Sequence, residues 1–174
     1  MKHKIETDRL SLICCDKKIL KALVEEDPAI AELLQVQVPV KWTEFGAPAF
    51  KYSLEKISAD AEEENWWTWL PVYKNENMLI GSGGYKGKPT NDGMIEIGYE
   101  VAEAYRRRGF ATEIARALIA NGLKDARVKM IQAHTLPEEN ASGKVLKNCG
   151  MKWIEEIIDP EDGKLWCWEM KIRE

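Results

Sequence analysis

The sequence of 174 residues contains no long apolar run, and its apolar stretches fall far short of the ~20 residues that cross a bilayer. Its first ten residues, MKHKIETDRL, are charged and lack the apolar core of a signal peptide. We therefore expect no membrane association and a cytoplasmic location. The four cysteines form no CxxC pair and there are only two histidines, so we expect no metal site.

Three common functional loops are also missing. The sequence has no GxxxxGK[ST] nucleotide loop and no GxSxG hydrolase elbow, and the glycine-rich run GSGGYKG at 81–87 lacks the GxGxxG spacing. That run leads into a turn and another strand, which favours a hairpin over a dinucleotide site. A net charge of −4 argues against general nucleic-acid binding, although it leaves room for a local basic site.

The composition is that of one folded domain, to which we assign residues 1–174. A chain with 45% hydrophobic and 31% charged residues has enough apolar surface to fold, and its length fits a single domain. Alternation predicts strands over 7–14, 66–72, 78–85, 94–101, 129–134, 151–157 and 165–172. Helical spacing and caps predict helices from Asp16 to Pro28 and over 30–34, 50–60, 109–124 and 140–148. This order predicts a mixed α/β fold, a mostly antiparallel sheet with helices on both faces.

Residues 95–119 carry most of the chemistry, because a strand enters a short basic turn that opens a helix. The turn and the first helical positions are Arg106, Arg107, Arg108, Gly109, Phe110 and Ala111. The first amides of a helix have no internal acceptor and the helix dipole is positive there, which suits a diphosphate. Gly109 permits close approach of a phosphate. A solvated surface turn is the alternative interpretation.

Arg106-x-x-Gly109-x-Ala111 matches the (Q/R)xxGx(G/A) acetyl-CoA loop of the GNAT superfamily of N-acetyltransferases, which the chain resembles. The resemblance covers nearly the whole chain. It includes, in order, TDRLSL at 7–12, IGSGGYKG at 80–87, EIGYEV at 96–101, RRRGFATE at 106–113 and AHTLPEENASGKVLKNCGM at 133–151. The ordered set is most similar to the branch that includes the ribosomal-protein N-terminal acetyltransferases of RimJ/RimL type.

The resemblance implies a sheet that splays centrally, between the strand ending at Val101 and the strand beginning near Ile131. Acetyl-CoA would lie in that cleft, its pantetheine arm pairing with the backbone of Tyr99 and Val101 and its diphosphate on the amides from Arg106 to Ala111. The acetyl group would pass directly to a primary amine, of a protein N-terminus or a small molecule, in a ternary complex that works largely by positioning. Residues 30–60 are expected to select the acceptor, and a homodimer fits the branch.

Glu96 is the first candidate for the base that deprotonates the amine, since the resemblance places it beside the acetyl position. Alternation puts Glu96, Gly98 and Glu100 on one face of the strand. A carboxylate on the inner part of a sheet is expected to have a raised pKa, which suits a base. The alternative for Glu96 is a structural ion pair with an arginine, and Glu100 is a weaker candidate near the strand end.

The chain departs from the resembled family at two positions. Many members carry a tyrosine where this chain has Leu146, which leaves Ser142 as the candidate partner of the leaving thiolate or, alternatively, a helix-cap residue. Relatives usually carry asparagine where this chain has Glu139, so Asn140 becomes the candidate coenzyme contact. These departures keep a second function open, a catalytically weak acyl-CoA-binding sensor or interaction module.

Two further sets of residues are predicted to be structural. The tryptophans of the 66–72 strand, Trp66, Trp67 and Trp69, are expected to pack in the core or at a subunit contact and not to line an acceptor pocket. His134, at a strand end, is likewise predicted to be structural.

Overall fold

The computed structural model describes residues 3–172, so the two residues at each end of the predicted domain lie outside the described part. The strands are β1 (Lys4–Glu6), β2 (Leu10–Cys14), β3 (Thr68–Tyr73), β4 (Met78–Leu79), β5 (Gly81–Tyr85), β6 (Met94–Val101), β7 (Met130–Thr135), β8 (Lys152–Asp159) and β9 (Gly163–Lys171). The helices are α1 (Lys17–Val24), α2 (Ile30–Leu34), α3 (Gly46–Ala59), α4 (Phe110–Gly122) and α5 (Ala141–Asn148). Short 3₁₀ turns cover Ala61–Trp66 and Glu103–Tyr105. Among the described helices, none has both the length and the apolar composition needed to span a membrane.

The strands form one open sheet in the order β1-β2-β3-β5-β6-β7-β9-β8, with β4 beside β3. Every neighbouring pair is antiparallel except β6 and β7, which are parallel. The predicted fold class, a mixed and mostly antiparallel α/β sheet, is therefore confirmed.

The sheet splays between β6 and β7. Their pairing is limited to three positions, from Met94 opposite Met130 to Glu96 opposite Gln132. Beyond that point β6 pairs with β5 and β7 pairs with β9, so the two strands part. The result is a wedge-shaped opening whose vertex lies at Glu96 and Gln132.

Helices cover both faces of the sheet. On one face α4 packs closely, since a β-carbon on Gly122 would lie 2.6 Å from Cδ1 of Ile95, and one on Gly83 would lie 3.4 Å from Ile114. The row of α4 that faces the sheet, Phe110, Ile114 and Leu118, has almost no exposed surface. On the other face the Thr68 hydroxyl of β3 donates to Ser53 of α3 at 3.0 Å. The helix that carries the basic turn is thus fixed against the strand that borders the opening.

Several local predictions are confirmed. The Asp16 carboxylate caps α1 by accepting a hydrogen bond from the Ile19 amide at 2.8 Å. The predicted strand over 94–101 has the observed bounds. Trp66, Trp67 and Trp69 are all buried in the core.

Other boundaries were wrong for identifiable reasons. The strand predicted over 66–72 begins at Thr68, because Asp60 caps a 3₁₀ turn that extends to Trp66. The strand predicted over 78–85 is broken at Ile80, where the register against β3 shifts by one residue opposite Pro71, which has no N–H to donate. Helix α3 starts four residues before the predicted Phe50, since Pro48 falls in its first turn, where no amide is needed.

Candidate active site

The basic turn presents a row of backbone amides at the start of α4. Arg107 and Gly109 both have positive φ, +63° and +81°, and Gly109 is the residue immediately before the helix. In the described part of the chain, the amides from Arg107 to Thr112 find no hydrogen-bond acceptor. These N–H groups lie at the positive end of the helix dipole, which is a suitable environment for an anion.

The three arginine side chains of the turn differ in their surroundings. Arg106 donates through Nε to the Val101 carbonyl at 2.9 Å and pairs through Nη2 with Glu44 at 2.6 Å. The Arg108 guanidinium lies 5.1–5.5 Å from the centres of three rings, those of Tyr73, Tyr105 and Phe110. The Arg107 guanidinium has no such partner among the described residues. Of the three arginine side chains, it is therefore the one that is free to bind an anion.

Residues from the β1–β2 turn hold the basic turn in place. Arg9 donates through Nη1 to the Arg108 carbonyl at 2.9 Å, and its guanidinium lies 4.2 Å from the centre of the Phe110 ring. Glu113 of α4 accepts hydrogen bonds from the Thr7 hydroxyl at 2.7 Å, the Arg9 amide at 2.9 Å and Arg9 Nε at 2.7 Å. Burial acts to raise the pKa of Glu113, but these donors outweigh it and hold the pKa below its ordinary value.

Thr7 and Arg9 belong to the TDRLSL segment, but their support of the basic turn was not predicted from the sequence. The one feature of the sequence that pointed to this support was Glu113, an acidic residue in the first turn of a helix. Its partners lie more than 100 residues away in sequence.

The edge of β6 that borders the opening carries backbone groups that pair with neither neighbouring strand, although the Val101 carbonyl accepts from Arg106 Nε. Lys86 donates to the Glu96 carbonyl and Ala102 donates to the Ile80 carbonyl, so the even-numbered positions of β6 face β5. Since strand residues point their N–H and C=O alternately to either side, those of Tyr99 and Val101 face the opening. The two residues predicted to pair with a pantetheine arm therefore present their backbone to the cleft.

Glu96 lies at the vertex of the opening, and its side chain is only 17% exposed. Its Oε1 contacts Nδ1 of His134 from β7 and lies 3.5 Å from Lys86 Nζ. Burial acts to raise the pKa of Glu96, but the hydrogen bond from His134 and the charge of Lys86 outweigh it and lower the pKa overall. The predicted raised pKa is wrong for that reason, and the side chains beside Glu96 are a histidine and a lysine instead of an arginine.

Glu100 has a different role on the same face of β6. Its Oε1 accepts hydrogen bonds from Ser82 at 3.1 Å and from the Thr43 hydroxyl, and its Oε2 accepts one from the Glu44 amide at 3.1 Å. Thr43 Oγ1 also accepts from the Gly46 amide at the start of α3, at 3.2 Å. Glu100 thus fastens the segment between α2 and α3 to the sheet.

The start of α5 lies beyond β7. Asn140 caps this helix, its Oδ1 accepting from the Gly143 amide at 2.9 Å. The alternative role of Ser142 as the cap is therefore wrong, and Ser142 is exposed in the first turn. Leu146 is 1% exposed and packs in the core, so it offers no proton donor.

A family profile described as "Acetyltransferase (GNAT) domain" matches residues 18–152. The chain belongs to the GNAT acetyltransferase family. The N-acetyltransferase YjdG of Bacillus subtilis (strain 168), described as uncharacterized, is 29% identical over 147 residues, which are 84% of this chain and 88% of that relative. This GNAT protein is an acetyltransferase, and the family resemblance drawn from its motifs is confirmed.

Solved structures of GNAT enzymes share the fold. RimL, a ribosomal L7/L12 alpha-N-protein acetyltransferase solved in complex with coenzyme A, matches with a TM-score of 0.71 at 14% identity over 98% of each chain. The ribosomal-protein-S5-alanine acetyltransferase from Vibrio fischeri matches with a TM-score of 0.69 at 16% identity, over 97% of this chain and 96% of its own. At these identities the likeness concerns the fold.

Proposed function

We propose that this GNAT protein uses acetyl-CoA to acetylate a primary amine, by direct transfer in a ternary complex. The observation that carries the proposal is the opening between β6 and β7. One wall of it is an unpaired strand edge, and this strand leads into a row of free amides at the start of α4. An elongated thioester with an anionic end matches that arrangement.

The coenzyme-binding residues follow from this placement. The diphosphate would be held by the amides from Arg107 to Ala111, a run that includes Arg108, Gly109 and Phe110, and by the free guanidinium of Arg107. The predicted contribution of the Arg106 amide is wrong, because this amide donates to the Glu103 carbonyl at 3.2 Å. The backbone of Tyr99 and Val101 would pair with the pantetheine arm. Asn140 is the proposed further contact, through the part of its side chain that does not cap α5.

The chemistry of acetyl transfer requires a neutral amine, a stabilised oxyanion and a leaving thiolate. The backbone N–H of Tyr99 or of Val101 is suited to the oxyanion, because it is fixed before the reaction begins. A thiol ordinarily ionises near pH ~8.5, so the thiolate leaves without a strong acid, and a buried leucine at position 146 is compatible with turnover. Glu96 and Ser142 remain the side chains proposed to take part in the site, Glu96 at the vertex of the opening and Ser142 as a hydrogen-bond donor to the sulfur.

The acceptor is proposed to be a protein N-terminus or a small amine, as expected for a RimJ/RimL-like enzyme of the cytoplasm, with a homodimer as the proposed assembly. Release of free CoA by the purified protein, measured with peptides beginning in Ser or Ala and with small amines, tests the activity. Calorimetry with acetyl-CoA tests the binding step separately. Acetyl-CoA binding with acceptor-dependent CoA release is expected.

Two results would contradict the proposal in different ways. Tight acetyl-CoA binding without turnover of any amine would support the sensor or interaction module instead. An absence of binding at millimolar acetyl-CoA would remove both functions.

A further inference from the structure

The vertex of the β6–β7 opening contains a second titratable side chain besides Glu96. Glu96 is the last residue of β6 that pairs with β7, and its partner there is Gln132. His134 lies two residues further along β7, so it projects from the same face of the strand as Gln132, at the start of the opening. An amine that approaches a thioester in the opening meets this residue.

The imidazole ring of His134 is held in one orientation. Its Nδ1 contacts Oε1 of Glu96, and the side chain is only 16% exposed. Within residues 3–172, Nε2 of the ring has no hydrogen-bond partner. A carboxylate that accepts the Nδ1 proton leaves Nε2 as a lone-pair acceptor.

Charged and titratable groups surround the ring from each neighbouring strand. Lys86, which follows β5, lies 3.5 Å from Glu96 and neutralises part of its charge. Cys167 of β9 is directly opposite His134, and Glu155 of β8 is opposite Cys167. Asp159, at the end of β8, interacts electrostatically with both Lys86 and His134. Two of these four groups, Glu155 and Asp159, are carboxylates, whereas Lys86 carries the opposite charge and Cys167 is a thiol.

We propose that His134 is the base that accepts the proton of the acceptor amine through Nε2, and that Glu96 positions its ring. The proposal rests on the acetyltransferase function proposed above and assigns the proton transfer within it. A carboxylate that already accepts from an imidazole and lies beside an ammonium is a poor acceptor for a further proton. A neutral imidazole accepts protons near neutral pH.

Proton transfer to His134 accompanies the attack of the amine on the thioester. The lone pair of the amine nitrogen forms the new C–N bond at the thioester carbonyl, and the carbonyl electrons move to oxygen. The nitrogen releases its proton to Nε2 of His134. The oxyanion then re-forms the C=O bond, the C–S bond breaks, and CoA leaves as the thiolate with the bonding pair. The imidazolium returns its proton to the thiolate or to water.

The kinetic test compares His134→Gln, Glu96→Gln and the control His3→Gln, which removes the other histidine of the chain. For His134→Gln, kcat/KM for the amine should fall by about 10²–10⁴-fold, and the acidic limb of its pH profile should disappear. Glu96→Gln should keep that limb, since the imidazole that accepts the proton is still present, and should lower kcat because the ring is no longer held in one orientation. Acetyl-CoA binding should change less than about twofold in all three variants. Loss of the limb in Glu96→Gln with its retention in His134→Gln would overturn the proposal.

A second measurement does not depend on turnover. In the His3→Gln protein His134 is the one remaining histidine, so its ring nitrogens can be read by ¹⁵N NMR. The neutral ring should carry its proton on Nδ1, and Glu96→Gln should shift it towards the Nε2-protonated form. Circular dichroism checks that each variant is folded. A ring protonated on Nε2 while Glu96 is intact would exclude the assigned role, whichever amine proves to be the acceptor.

Discussion

Nδ1 of His134 contacts a carboxylate oxygen of Glu96 across the point at which β6 and β7 part. Thirty-eight residues separate the two side chains in sequence, and the short parallel ladder brings them together. Both side chains are mostly buried. The contact therefore gives the Glu96 carboxylate a hydrogen-bond partner that an isolated carboxylate in a sheet would lack. The vertex of the splayed sheet is therefore the position at which we propose the proton transfer.

The first prediction concerns Glu113, which joins α4 to the β1–β2 turn through three hydrogen bonds. Glu113→Gln should lower the free energy of unfolding at pH 7 by about 1–2 kcal/mol, because an ionised acceptor makes stronger hydrogen bonds than an amide. Its pKa is lowered by folding, so this stability is present above the unfolded value of ~4.3 and is lost as the pH falls through the folded value.

Urea unfolding followed by tryptophan fluorescence checks this at pH 7 and pH 3. The difference between Glu113→Gln and the wild type should shrink at pH 3, because this pH lies below the unfolded pKa and the stability from the ionised carboxylate is lost as the pH falls towards the folded value. Glu6→Gln is the matched control on β1, since its ion pair with Lys74 is exposed and should contribute under about 0.5 kcal/mol. An equal effect of the two substitutions would show that Glu113 has no special part in holding the turn.

The second prediction separates the arginines of the basic turn. Arg107→Gln should raise the Kd for acetyl-CoA by about tenfold, the effect of one charge-assisted hydrogen bond, because its guanidinium is free to meet the diphosphate. Arg108→Gln removes the same charge but also the stacking on Tyr73, Tyr105 and Phe110, so it should lower stability by about 0.5–1 kcal/mol and affect binding less.

The donor S-acetylpantetheine provides the control for that comparison, because it lacks the diphosphate. Its KM should be the same in Arg107→Gln and in the wild type. Equal losses of acetyl-CoA affinity in the two arginine variants would mean that the turn acts only through its net charge.

The third prediction compares two glycines that both have positive φ. Gly109 before α4 and Gly163 at the start of β9 have φ of +81° and +75°, so alanine at either should cost about 1–2 kcal/mol of stability. Only Gly109→Ala also places a β-carbon and a strained backbone at the amides of the basic turn. Calorimetry should show weaker acetyl-CoA binding for Gly109→Ala and unchanged binding for Gly163→Ala. Unchanged binding in both variants would place the diphosphate elsewhere.

The sequence was sufficient for the elements with a strong local signal. The apolar spacing of α4 and the alternation of β6 predicted the helix and the strand that border the opening. Asp16 predicted the start of α1, and the turn at 106–109 predicted the start of α4. Elements whose form depends on distant partners were missed or misplaced. The short strand β1 exists because it pairs with β2, and the break between β4 and β5 arises from a register shift against β3.

The site was predictable to the same extent. The amides at the start of α4 follow from a local pattern, whereas the environment of Glu96 depends on which β7 residue faces it. His134 was interpreted as structural because no neighbour in sequence pairs with it. The predicted direction of the Glu96 pKa shift was wrong because of that omission. Burial alone raises the pKa, but the contacts with His134 and Lys86 lower it overall.

The last prediction concerns the segment that Glu100 fastens to the sheet. Thr43→Val removes the hydrogen bond to Glu100 and the one from the Gly46 amide, and so loosens the segment expected to contact the acceptor. The KM for the amine should rise about fivefold, as for the loss of about 1 kcal/mol of hydrogen bonding, with the acetyl-CoA KM unchanged. Ser82→Ala is the matched control, because it removes another hydrogen bond to Glu100 from the opposite side, on β5. An acceptor KM that rises equally in both variants would mean that Glu100 itself, and not the fastened segment, contacts the amine.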